Sequence, residues 1–260
     1  MTVQQIVNYP FLYINGAQLN WVSGTTFTVS SGLARSSNNA LDMNIGNFNG
    51  QANSGTAANV LTTVNAAVVG VNGIDTGSLA ANTFYYVFII ADSTGFKPTA
   101  ALMSLSSTGP TLPFGYDSFR RIGQVLTSGA SVILAFNVRG NFYERYYQYD
   151  APIVVVNGLG AATATTLSLS SAVPVNSAKG PVSLSASFTA ATAANSFSIR
   201  PTGGTGYPVV ASAPVVSQAF KIAPFNVNAQ STAGVISIDY LTSASGDALT
   251  LNVVGYIDYV

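Results

Sequence analysis

The sequence predicts an all-β protein, with an N-terminal β-rich domain followed by a β-sandwich of jelly-roll type. Three observations carry that expectation. Apolar and polar residues alternate with period two at 25–29, 41–45, 182–188 and 236–240, the spacing of half-buried strands. Only 7% of residues are charged, against roughly 25% in an ordinary globular protein, so Ser, Thr, Asn and Gly must solvate the surface. Turn-forming residues separate the alternations at short intervals, as in sandwiches and barrels.

The composition also bounds function. At 260 residues the chain can build one large β-domain or two smaller ones. Its 9 basic and 9 acidic residues cancel, which argues against a nucleic-acid partner and against an anionic membrane surface. There is no cysteine and no histidine, so thiolate chemistry, the commonest general base and the commonest metal ligand are absent together. The first ten residues contain neither a basic nor a long apolar region, and no secretory leader is expected. Apolar runs fall short of the ~20 residues of a spanning helix, so membrane insertion is not expected. Neutral, charge-poor surfaces associate, which points to life inside a defined assembly.

Residues 1–22 are expected to form an arm. Phe11-Leu12-Tyr13-Ile14 suits a short strand and Asn15-Gly16 a two-residue hairpin, with Leu19 and Trp21 alternating beyond it. Trp21 either packs into the core, the favoured alternative, or docks with the arm on a neighbouring subunit. Residues 23–150 are expected to form the β-rich domain. Within it Val60, Leu61, Val64, Val68 and Val71 have nearly helical spacing, but the valines and threonines of 57–71 favour a strand. Phe84–Ala91 is apolar on both pleat faces and predicts a central strand. Leu112-Pro113-Phe114-Gly115-Tyr116-Asp117 predicts a turn packed against the body by its aromatics. Residues 132–138 predict a further strand. In 142–149, Phe142, Glu144, Tyr146 and Gln148 share one face and Tyr143, Arg145, Tyr147 and Tyr149 the other.

At Asp150-Ala151-Pro152 the composition shifts to Ala, Val, Ser and Thr, which places a domain boundary there. Short strands are expected at 153–156, 166–170, 182–188, 197–200, 209–211, 215–223, 235–241 and 248–260, making residues 151–260 the sandwich.

The candidates for chemistry lie mostly between Gly73 and Arg145. Cleavage of a glycan needs two carboxylates, one with a raised pKa, and Asp92, Asp117, Glu144 and Asp150 are available. Asp92 and Asp117 fall in turns, where aspartates accept bonds from nearby amides. Arg120 and Arg121 are adjacent and on a strand face opposite ways, so one is expected to pair inward with a carboxylate such as Asp117 while the other is solvated. Glu144 is expected to pair across a strand. Asp75-Thr76-Gly77 has no second copy for an aspartic dyad and predicts an Asx turn. Tyr143, Tyr146, Tyr147, Tyr149 and Trp21 are the candidate ligand or subunit interface. No cofactor, metal site or enzymatic activity is expected.

Asp75-Thr-Gly-Ser-Leu-Ala-Ala-Asn-Thr-Phe-Tyr-Tyr-Val, Pro110-Thr-Leu-Pro-Phe-Gly-Tyr-Asp and Phe119-Arg-Arg-Ile-Gly together resemble a segment of tailed-bacteriophage virion proteins, of tail-fibre, head-fibre or capsid-decoration type. The resemblance spans about residues 60–140. It implies a non-enzymatic virion-surface component made in the bacterial cytoplasm. Its partners would be copies of itself, most simply in a homotrimer, other capsid or tail proteins, and a host surface glycan. The absence of a repetitive shaft or coiled coil favours a compact projection over a long fibre. The alternative is a carbohydrate-binding or carbohydrate-cleaving module that uses the tyrosines or the carboxylates.

Overall fold

The computed structural model describes residues 13–46, 61–140, 143–158, 160–175, 181–192, 194–206, 209–212, 217–232 and 235–260. Among them the fold is all-β. The strands are β1 (Ile14–Gly16), β2 (Leu19–Ser23), β3 (Thr26–Val29), β4 (Gly32–Arg35), β5 (Asp42–Ile45), β6 (Thr62–Asn65), β7 (Phe84–Ala91), β8 (Ala100–Ser104), β9 (Ser118–Leu126) and β10 (Phe136–Arg139). They continue with β11 (Glu144–Val156), β12 (Thr165–Ser168), β13 (Pro181–Thr189), β14 (Ser196–Pro201), β15 (Val209–Ser212), β16 (Ala219–Asn228), β17 (Gln230–Thr232), β18 (Val235–Thr242) and β19 (Ala248–Tyr259). Two compact units result: the chain up to Leu134 with Val138–Arg145 and Val260, and Ala135–Asn137 with Tyr146–Tyr259. The composition change at 150 therefore falls inside a continuous strand, β11, and the division lies a few residues earlier.

The first unit contains three small sheets, ordered β1-β4-β5, β2-β3-β6 and β8-β7-β9. Asn15-Gly16 does not make the expected hairpin. Ile14 registers with Ala34 and Leu19 with Val29, so β1 and β2 diverge into different sheets. The cause is local: Gly16 and Ala17 are both left-handed, with φ of 70° and 52°, and the Ala17 amide bonds to Ser31 O instead of closing back on β1. Residues 13–22 are thus integral to this unit and not a separate arm, while the Phe11-Leu12 part of that expectation lies outside the described residues. Trp21 is 38% exposed and donates from Nε1 to Ile133 O at 3.3 Å, so it does not fill a core.

Among the described residues of this stretch, 61–71, the strand is Thr62–Asn65; Val64 is buried, whereas Leu61, Val68 and Val71 are exposed, and 57–60 with Val60 lie outside the described residues. β7 is central, as its two apolar faces predict, between β8 and β9. Phe88 and Ile90 of β7 bury with Ala100, Leu102 and Tyr116, against which Tyr86, Leu112 and Phe119 pack. The turn that enters β7 is tied by the buried Tyr85, whose hydroxyl donates to Ser78 O at 3.0 Å and accepts from Ala80 N at 2.8 Å. Val87 registers with Gly123 and Phe88 with Arg121, which leaves Ile122 as a bulge in β9.

The second unit holds two sheets. One runs β11-β19-β13-β16, with β10 at the edge beside β11; the other runs β12-β18-β14-β15, with the short β17 paired to β18. If the eight principal strands are lettered B to I in chain order, these are B-I-D-G and C-H-E-F, the strand order of a jelly roll. The sheets meet where Phe188 of β13 lies 5.3 Å from Phe197 of β14, ring to ring. β16 contains Pro224, which cannot donate to a ladder. The strand is at the edge of its sheet, and the register slips from Leu184↔Phe225 to Ala186↔Ile222, so Ala223 and Pro224 bulge opposite Ser185. Asp247 is 2% exposed and ties two chain reversals together, accepting from Ala191 N (2.8 Å), Asn195 Nδ2 (2.7 Å) and Ala244 N (2.9 Å). Burial opposes its charge, yet those three bonds outweigh burial and hold its pKa below the ordinary value.

Candidate functional site

From Glu144 to Tyr149 the two expected faces are observed, whereas Tyr143 is exposed and does not share the inward face, and Phe142 lies outside the described residues. Arg145, Tyr147 and Tyr149 point inward while Glu144, Tyr146 and Gln148 do not. That arrangement overturns the tyrosine platform. The Tyr147 ring stacks on Tyr256 with centroids 5.1 Å apart, and the Tyr149 hydroxyl donates to Ala172 O at 2.7 Å. Both side chains are core, and burial pushes the Tyr149 phenol well above its ordinary range. Tyr143 is exposed and Tyr146 half-buried, so neither has the others beside it at the surface.

Arg145 has a role that alternation alone did not reveal. Its side chain is 1% exposed, and it donates from Nη1 to Ala17 O at 2.7 Å and from Nη2 to Gly16 O at 2.9 Å. One guanidinium thus clamps the two carbonyls of the left-handed turn that parts β1 from β2.

The aspartates act as turn ties. Asp75 accepts from Thr76 N at 2.8 Å and from Thr111 N at 2.9 Å, so in place of the expected Asx turn, which bonds the amide two residues on, its carboxylate holds the adjacent amide and ties in a second loop. Asp92 accepts from Thr94 Oγ1 (2.5 Å), Thr94 N (2.9 Å) and Lys97 N (3.1 Å). Asp117 accepts from Ser93 Oγ, from Ser93 N at 3.0 Å and from Ser118 Oγ at 3.0 Å. Its carboxylate is therefore occupied by serines and not by Arg120, which corrects the expected pairing. Asp92 and Asp117 do come together on neighbouring turns, but both lie below the ordinary carboxylate pKa. Bonds from Thr94 lower the first and bonds from Ser93 the second. Neither carboxyl is shifted in the upward direction that characterises the acid partner of a glycoside-cleaving pair.

Arg120 is buried in β9, with its pKa lowered first by desolvation and then by Arg121. Arg121 turns the other way, donating from Nη1 to Gln124 Oε1 at 3.2 Å with its guanidinium 6.0 Å from the Tyr86 ring centre. The two therefore do not form an anion pincer. Glu144 is exposed at the start of β11. Ion pairs among the described residues include Arg35–Asp42 at 3.5 Å and Arg200–Asp239 at 3.1 Å, and the latter carboxylate also takes Thr166 Oγ1 at 2.8 Å. Among the described residues, no group of three His, Cys, Asp or Glu is placed to hold a metal, and no helix is long and apolar enough to cross a membrane.

Two features of this region carried no sequence signal. The first is a pair of phenylalanines. Phe96 is 91% exposed and Phe114 is 95% exposed, so the 112–117 turn does not tuck its Phe114 inward as expected. Tyr116 and Leu112 supply the packing instead, the Tyr116 hydroxyl donating to Pro98 O at 3.0 Å. The two loops are stitched together by the Ser93–Asp117 bonds and by Lys97, whose Nζ donates to Phe114 O and sits 5.2 Å from the Phe114 ring centre. The second feature is a cleft of about 250 Å³ lined by Ser37, Asn38, Asp117, Ser118 and Phe119. One wall is the 36–40 turn, fixed to β9 by Ser37, which donates from N (2.8 Å) and Oγ (3.0 Å) to Phe119 O.

Comparison with family models, with curated proteins and with solved structures returned no match.

Proposed function

We propose that this chain is a non-enzymatic structural subunit of a tailed-phage virion, a compact surface fibre or decoration protein that acts by assembly and attachment. A homotrimer is the working stoichiometry, with capsid or tail proteins as further partners. The observation that carries this reading is the Phe96–Phe114 pair. Two phenylalanines held almost wholly in water add nothing to the buried core of a monomer, and internal bonds of the 92–97 and 112–117 loops keep them there. Rigid aromatics of this kind make inexpensive anchors, since little side-chain entropy is lost on docking. The charge-poor surface and the jelly-roll strand order support the same reading, the latter only as a fold-level analogy because that architecture also serves lectins and cupins.

The test is a Phe96→Ser/Phe114→Ser double variant beside the parent chain. Thermal unfolding should be unchanged, since neither ring is in a core, while self-association by sedimentation and incorporation into particles should fall together. Antibody to the protein should decorate the surface of purified particles. Unlabelled particles would remove the virion assignment, and a double variant that assembles like the parent would remove the docking role of the phenylalanines.

A further inference from the structure

We infer that the cleft between the 36–40 turn and the start of β9 binds a neutral sugar through vicinal hydroxyls. This deepens the attachment half of the proposed function and rests on it only for its biological purpose, since the chemistry is local to the cleft.

The cleft offers an acceptor, a donor and an apolar wall. The acceptor is Asp117, an exposed carboxylate fixed by Ser93 and Ser118 and kept ionised by those bonds. An ionised carboxylate has about four lone-pair directions, and three protein donors leave it able to accept from a ligand hydroxyl. The donor is the side-chain amide of Asn38. Its Oδ1 is engaged by Ser36 Oγ at 2.7 Å and Ala40 N at 3.2 Å, which fixes the amide plane and leaves Nδ2 without a partner among the described residues. The wall is Phe119, half-buried and held edge-on against Phe88 with ring centres 5.9 Å apart.

This set suits a polyol better than the other ligand classes. A hydroxyl both donates and accepts, so two neighbouring hydroxyls can satisfy Asp117 and Asn38 while the C–H face of the ring covers Phe119. A phosphate or carboxylate ligand would meet the Asp117 charge with no lysine or arginine in the lining to offset it. A divalent cation would find one carboxylate where several oxygens are required. All the polar groups are anchored by bonds already formed, so little ordering remains to be done on binding.

The experiment is an amide-correlation NMR titration of the full chain with the methyl glycosides of glucose, galactose, mannose and N-acetylglucosamine. At least one should shift the Asn38 side-chain amide and the Ser118 and Phe119 backbone amides saturably, with an affinity on the order of millimolar for so small a ligand. Asn38→Asp keeps the oxygen that holds the turn and deletes the free donor; it should weaken binding about tenfold with the spectrum otherwise intact. Asp117→Asn should weaken it by a similar factor. No saturable shift with any of the four glycosides, or undiminished affinity in the Asn38→Asp variant, overturns the inference. Neither result touches particle labelling, so failure here and failure of the virion assignment are separately visible.

Discussion

Replacing Arg145 should loosen the turn between β1 and β2. The guanidinium is 1% exposed and makes bonds of 2.7 and 2.9 Å to Ala17 O and Gly16 O. Bonds from a charged donor contribute about 1.5–3 kcal/mol each, so losing both places the cost at about 3–6 kcal/mol. Arg145→Met keeps most of the side-chain volume and leaves the two carbonyls unbonded, the Ala17 carbonyl in a buried position. At about 2–4 °C per kcal/mol for a chain of this size, the melting temperature of the unit should fall by at least about 6 °C. Arg145→Lys should recover part of that loss, because a single ammonium cannot span two carbonyls as a planar fork does. Hydrogen exchange supplies the local readout: the Ala17 amide, bonded to Ser31 O at 3.1 Å, should lose protection before the amides of β7 do. A methionine variant that melts with the parent and protects Ala17 equally would refute the clamp.

Other consequences can be checked with the same methods. Asp239 and Asp247 both have pKa values below the ordinary 3.8, in each case because hydrogen bonds outweigh the opposing effect of burial. Their stabilisation is therefore complete above that value and is lost as pH falls through the lower folded-state values. Urea midpoints of the second unit should be flat from neutrality to mild acid and then drop below about pH 4, with the drop blunted in Asp247→Asn. Gly255→Ala should destabilise the same unit by about 1–3 kcal/mol in urea, because its new Cβ would lie 2.0 Å from Tyr147 O. Tyr149→Phe removes the hydroxyl from Ala172 O at a cost of about 1 kcal/mol, and a loss several times larger would show that the ring's packing had changed too.

Much of the β architecture was legible because period-two alternation is a strong local signal where one strand face is buried. Val182 to Phe188 and Ile236 to Tyr240 fall within β13 and β18, although Ser183, Ser237 and Asp239 on the polar faces are buried as well, and the unbroken apolar run of β7 announced a central strand. Pairing was less legible, because it depends on residues distant in sequence. Asn15-Gly16 has the composition of a hairpin, but the chain on either side finds better partners in β4 and β3. The tyrosines show a related limit. Alternation assigned Tyr147 and Tyr149 to one face correctly, yet residues distant in sequence, Tyr256 about a hundred residues later above all, make that face a core. Phe96 and Phe114 invert the usual expectation that aromatics in a turn pack inward, since Leu112 and Tyr116 already fill the available space. The cleft was invisible for the plainest reason: Asn38 and Asp117 are 79 residues apart and each, alone, looks like an ordinary turn residue.

The position of β19 has a consequence for how the protein is made. Although it leaves the ribosome after every other strand of its sheet, it lies between β11 and β13. Until it emerges, those two strands have no bridge, and each presents an open hydrogen-bonding edge. Few charges flank them to deter pairing with another nascent chain. Synthesis therefore passes through an interval, on the order of 10 seconds at 5–20 residues per second for the stretch from β13 to β19, in which the jelly roll cannot close. Slower growth temperature or chaperone supply during that interval, more than any change to the finished molecule, should govern how much of the protein is recovered soluble.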